Sequence, residues 1–177
     1  MKFKKAVIAG LTTLALSPVA STLGNSILTT QVVHADTITN VKQSNNDDQV
    51  VSISNKEIFD TLEAKDYDVK SILGKEDYQA ALMQDMMRRG GTYIKTNKHG
   101  FTVYVNSAIV KLAVYGGSAA VATAIGAALT AAGHPYLAGT VATAITSIAT
   151  NAGSKAMDRG IYVSFSNKGS AISWGYQ

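Results

Sequence analysis

Residues 112–154 contain no Asp, Glu, Lys or Arg, and Ala, Gly, Thr and Ser make up most of them. So long an uncharged stretch narrows the choice to a membrane-seeking helical pair or a helical pair packed inside a domain. Gly133, His134, Pro135 and Tyr136 divide the run, because proline cannot continue a helix and glycine readily ends one. Residues 107–132 are alanine-rich and favour helix. The 21 uncharged residues 112–132 make about 31 Å of helix, the depth of a bilayer core. The 17 residues 137–153 lie near the short end for a span. Small residues recur at every fourth position: Gly116, Ala120, Ala124, Ala128 and Ala132, then Gly139, Thr143, Ser147 and Asn151. Such stripes predict close contact between Gly116, Ala120 and Ala124 on one helix and Gly139, Thr143 and Ser147 on the other, in lipid or in water. Thr123, Thr130, Thr140, Thr146 and Thr150 would need partners in hydrocarbon. Conditional insertion or a soluble core is therefore expected, not a constitutive span.

The N-terminus reads as a secretory signal. Lys2, Lys4 and Lys5 precede an apolar stretch at residues 6–16, and Val33-His34-Ala35 supplies a cleavage site after Ala35. Pro18, Ser21 and Thr22 cut the apolar run short of the ~20 residues a membrane anchor needs. There is no cysteine, which excludes disulfides, a thiolate nucleophile and a lipoprotein anchor. No wall-sorting motif stands near Trp174-Gly175-Tyr176-Gln177, so release outside the cell is expected.

Charge divides what remains. Residues 36–87 hold 11 acidic and 5 basic side chains, and residues 88–177 hold 8 basic and 1 acidic. Either two solvated faces attract each other, or an acidic pro-region restrains a cationic part until cleavage near Arg88 and Arg89.

Periodicity predicts an α+β fold: two N-terminal amphipathic helices, a β-hairpin, the Ala/Gly-rich helical hairpin and a second β-hairpin. Residues 36–54 read as a flexible polar leader after the signal at residues 1–35. Residues 55–89 form an acidic helical region. There Ser54 and Glu57 make a capping box, and Tyr78, Ala81, Leu82, Met83, Met86 and Met87 form a stripe expected in the core. Residues 90–177 form the basic domain. Its hairpins run over residues 92–96 and 101–106, and over residues 161–166 and 171–176. Residues 91–100 and 160–169 share a phrase of Gly, Tyr two on, and Asn-Lys before a turn. The two hairpins are expected to pair into one sheet.

Chemistry is sparse. His99 and His134 each sit in a turn without a carboxylate or second histidine at ligand spacing, so no catalytic residue, metal or cofactor is expected. The glycines form no phosphate-binding pattern, and the cations are too few and too poorly interleaved with aromatics for nucleic acid. Cations beside an apolar hairpin suit anionic lipid instead. The MKFKK start, Arg88-Arg89-Gly90-Gly91 and residues 112–154 give the chain a layout that resembles secreted bacteriocin-type toxins of Gram-positive bacteria. That resemblance implies an extracellular, membrane-active antimicrobial or toxin-like protein, with an immunity protein as a possible partner. Lys95, Lys98, Lys111, Lys155, Arg159 and Lys168 would then meet anionic lipids, and Tyr162, Trp174 and Tyr176 would lie at the interface. The competing expectation is a soluble secreted binding or structural domain with the helical hairpin as its core.

Overall fold

The structure, a computed structural model, describes residues 40–43, 49–87 and 91–177. Six strands follow one another across one antiparallel sheet: β1 (Asn40–Gln43), β2 (Gln49–Ile53), β3 (Thr92–Asn97), β4 (Gly100–Val105), β5 (Ile161–Ser166) and β6 (Ala171–Tyr176). Between β2 and β3 lie α1 (Asn55–Glu63), α2 (Val69–Leu73) and α3 (Lys75–Met87). Between β4 and β5 lie α4 (Ser107–Ala131), a 3-10 turn at Pro135–Leu137, α5 (Ala138–Ala152) and α6 (Ser154–Arg159). The mixed α+β class expected from periodicity is present, and β4 pairs with β5, so the two hairpins do share a sheet. The flexible leader is corrected: β1 and β2 fall within residues 36–54, and β2 pairs with β3. Val51 and Ile53 supply the alternating apolar pattern that a buried strand needs.

Each strand alternates, so the sheet has two unlike faces. Val51, Ile94, Val103 and Val163 stand in register across β2 to β5 and are all buried beneath the helices. On the other face Tyr93, Tyr104 and Tyr162 form a half-buried row. The Tyr93 and Tyr104 rings stack 4.2 Å apart, and Tyr162 follows at 5.8 Å. The Tyr162 ring covers Gly175 of β6, where a Cβ would come within 2.8 Å of it.

Gly117 reshapes the uncharged run. Its φ of 76° and ψ of −178° are not helical, so α4 is two helices, residues 107–116 and 118–131. Their lengths, about 15 Å and 21 Å, fall short of a bilayer core. The first segment packs on the acidic half: Gly116 meets Ile72 of α2, and Lys111 pairs with Asp77 of α3 at 2.6 Å. The second returns along the sheet, bringing His134 onto Phe101 of β4 with ring centroids 4.3 Å apart. There α5 reverses over it. Ala120, Val121, Ala124, Ile125, Ala128 and Leu129 of α4 are buried, as are Val141, Ala142, Ile145 and Ala149 of α5.

A buried polar network ties the two charge halves together. Ser54 and Glu57 form the expected capping box at α1. The Asn106 amide donates to Asn55 Oδ1 at 2.7 Å, while its own carbonyl accepts from the Ile109 N–H at 3.1 Å and so caps α4. Asn55 donates to the Ala81 carbonyl, and Asp85 accepts from the Asn55 and Lys56 N–H groups at 2.9 Å. One end of the chain's acidic part is thus wired to the start of the central helix, and residues 36–177 form one unit. The methionine stripe is corrected too. Met83 and Met86 are 57% and 84% exposed, because α3 turns Ala81, Tyr78 and Leu82 toward the core.

Candidate functional site

Among the described residues β6 ends the sheet, with a strand neighbour on one side. Its sequence carries no charge and no proline, the usual devices that keep an edge strand from pairing elsewhere. Trp174 lies opposite Val163 and Tyr176 opposite Ile161, so both stand on the helix-facing side of the sheet. The helices do not reach far enough to cover them fully. Ile172 is 68% exposed and Trp174 45%. Trp174 meets Tyr176 edge-on at 5.7 Å, and the Lys155 ammonium of α6 sits 4.6 Å above the Tyr176 ring. Arg159 ends α6, Lys168 occupies the β5–β6 turn, and both are exposed.

Beside β6 runs a shallow groove between Gly139, Thr140, Thr143 and Ser147 of α5 and residues 169–171 of the turn. Leu137 packs against Gly169 across its upper end. Tyr136, the neighbour of Leu137, is 95% exposed at the tip of the helical hairpin. The surface therefore joins an uncharged floor, exposed apolar and aromatic side chains, and three cations. Asp158 is the one carboxylate on α5, α6, β6 or the turn.

These positions sort the residues singled out in the sequence. Lys155, Tyr176 and Trp174 meet on β6 with Arg159 at the same end of the strand, and Lys168 lies in the turn at the other end. Lys111 does not join them, being half-buried against Asp77 beyond the Gly117 break. Lys95 lies on the outer face of β3 and Lys98 in the β3–β4 turn. Tyr162 is on the opposite side of the sheet from Trp174, one residue out of phase with it. The helix–helix contact is corrected in part: Gly116 packs on α2 and Gly139, Thr143 and Ser147 are exposed, whereas Ala120 and Ala124 are buried. The contact face of α5 is Val141, Ala142, Ile145 and Ala149, because the larger aliphatic side chains bury more apolar area than glycine or hydroxyl residues. That 3.6-period pattern was present in the sequence and outweighs the four-residue stripe. Ala35, Arg88 and Arg89 lie outside the described residues.

Three side chains among the described residues have shifted titration, the first being Lys56, whose pKa is raised by its hydrogen bond to Asp60. Burial pushes the His134 imidazole below its ordinary pKa, and burial followed by the Tyr104 neighbour pushes the Tyr93 hydroxyl up. Asn55, Asn106 and Asp85, which carry the buried network, were not singled out beforehand. Asn106 directly before the helical run at residues 107–132 was a legible N-cap. Among the described residues no group of three or more His, Asp or Glu side chains is placed to hold a metal ion. No protein-family model, curated protein or solved structure matches the chain.

Proposed function

We propose that this chain is a secreted, non-enzymatic binding domain whose Ala/Gly helical hairpin is its core and whose β6 face is its binding surface. The packing around α4 supports this reading. One side of α4 meets α1, α2 and α3, another the sheet, and a third α5 and α6. An apolar helix of composition suited to a membrane here turns Ala120, Val121, Ala124, Ile125, Ala128 and Leu129 into protein, while Ile172 and Trp174 stay exposed on β6. Residues 36–177 are expected to dissolve as a monomer without detergent. Amides at residues 118–131 should exchange only through global unfolding, as core helices do. A chain that needs detergent, or whose α4 amides exchange as fast as the termini, overturns the reading.

One observation favours a second reading, the membrane-permeabilising toxin that the bacteriocin-type layout implies. The outward face of α5, with Gly139, Thr140, Thr143 and Ser147, is uncharged, and α5 has its contacts with helices and the adjoining turn. It has the least to lose on moving into lipid. Dye leakage from anionic vesicles on adding residues 36–177 tests it, and intact vesicles with folded protein bound or free end it.

A further inference from the structure

We infer that the β6 face docks the folded protein on an anionic bilayer surface, with the helical hairpin still packed. The inference rests on the binding-domain reading and names the partner of that surface.

Three observations carry it. Lys155 and Arg159 near one end of β6 and Lys168 at the other bracket the exposed Ile172 and Trp174, against Asp158 as the one side-chain carboxylate of α6, so the face carries an excess of positive side chains that anionic headgroups complement. Trp and Tyr present an apolar body and a polar tip, the form that settles at the headgroup level. Trp174 and Tyr176 meet edge-on in this way on β6, and Tyr136 stands exposed at the tip of the helical hairpin. Finally, the apolar area is small. Ile172 and Trp174 together offer on the order of 200 Å², well under the ~800 Å² per partner that a stable protein interface buries. A second copy would gain little from it, whereas a lipid surface adds electrostatic attraction to the same two side chains. The break at Gly117 keeps either part of α4 too short to span, so contact at the surface, not insertion, is what this fold can offer.

Trp174 is the only tryptophan, so its emission reports on the site directly. Residues 36–177 would be titrated with vesicles of phosphatidylglycerol and phosphatidylcholine, and with phosphatidylcholine alone, while circular dichroism and dye leakage are followed. The expected result is a blue shift of emission with the anionic vesicles only, reversed by high salt, with an unchanged spectrum and no leakage. Each cation at the surface contributes about fivefold to binding, so Lys155→Gln, Arg159→Gln and Lys168→Gln together should weaken it about a hundredfold. In vesicle sedimentation, Trp174→Ser should weaken binding while its circular dichroism matches the parent.

Native dichroism without a blue shift in either vesicle overturns the docking and leaves the binding-domain reading standing. A blue shift that grows with protein concentration in the absence of lipid also overturns it, in favour of a second copy. Leakage together with loss of the near-ultraviolet signal overturns the binding-domain reading itself, since the hairpin would then have left its core.

Discussion

α4 and α5 are written in nearly the same vocabulary, yet they occupy opposite situations. Both lack charge after Lys111 and both are rich in Ala, Gly and Thr. The second segment of α4 buries Ala120, Val121, Ala124, Ile125, Ala128 and Leu129, whereas α5 buries only Val141, Ala142, Ile145 and Ala149. The same four-residue stripe is consequently buried at Ala120, Ala124 and Ala128 and exposed at Gly139, Thr143 and Ser147. A small residue permits close approach but does not demand it. Val121, Ile125 and Leu129 on α4, and Val141 and Ile145 on α5, decide which side turns inward, because their burial contributes roughly 1.5–3 kcal/mol each.

The sharpest way to break that comparison is to enlarge one residue on each stripe. Ala120 is fully buried, so Ala120→Leu should overpack the interface and cost about 3 kcal/mol. Thr143 is exposed over the groove, and Thr143→Leu should stay within about 0.5 kcal/mol of the parent. Urea midpoints of the two variants measure the difference. Equal losses would mean that α5 turns its stripe toward α4 after all.

Gly117 allows a second, smaller test. No atom lies within 4 Å of where its Cβ would be, so Gly117→Ala meets no clash and is strained through its φ of 76° alone. That extended, positive-φ region is essentially restricted to glycine and costs an alanine on the order of 1–3 kcal/mol, and thermal unfolding should show a loss of that size. Should the variant instead gain helix signal and stability, the uncharged run prefers to be one continuous helix, and the distinction between its enclosed and exposed parts weakens.

Much of this fold was legible from period. The strands at residues 92–97, 100–105, 161–166 and 171–176 alternate cleanly, and the capping box at Ser54 marks α1. The break in α4 was not legible, because Gly116-Gly117 sits in an alanine-rich stretch whose helix propensity hides it. Nor was β2: Val50, Val51 and Ile53 follow a polar run, and strands that borrow stability from a distant partner such as β3 leave little local trace. The site was half legible. Residue type pointed to Lys155, Lys168 and Trp174, but only the register could separate Trp174 from Tyr162, since one step along a strand reverses the face.

The smallest expected effect lies where α4 hands over to α5. The His134 ring stacks on Phe101, while the His134 backbone N–H donates to the Leu129 carbonyl at 2.7 Å and its backbone carbonyl accepts from the Leu137 N–H at 3.2 Å. Burial holds its pKa below the ordinary value of 6.5, so the unfolded chain takes up the proton first. The stability this contributes is complete above pH 6.5 and declines as pH falls through that value toward the lower pKa of the folded state. Attraction of an imidazolium for the Phe101 face opposes the effect, which keeps it small. Urea midpoints at pH 7.5 and 5.5 should fall further for the parent than for His134→Gln, whose side chain does not titrate. An equal fall in both would show that the junction is indifferent to the charge on His134.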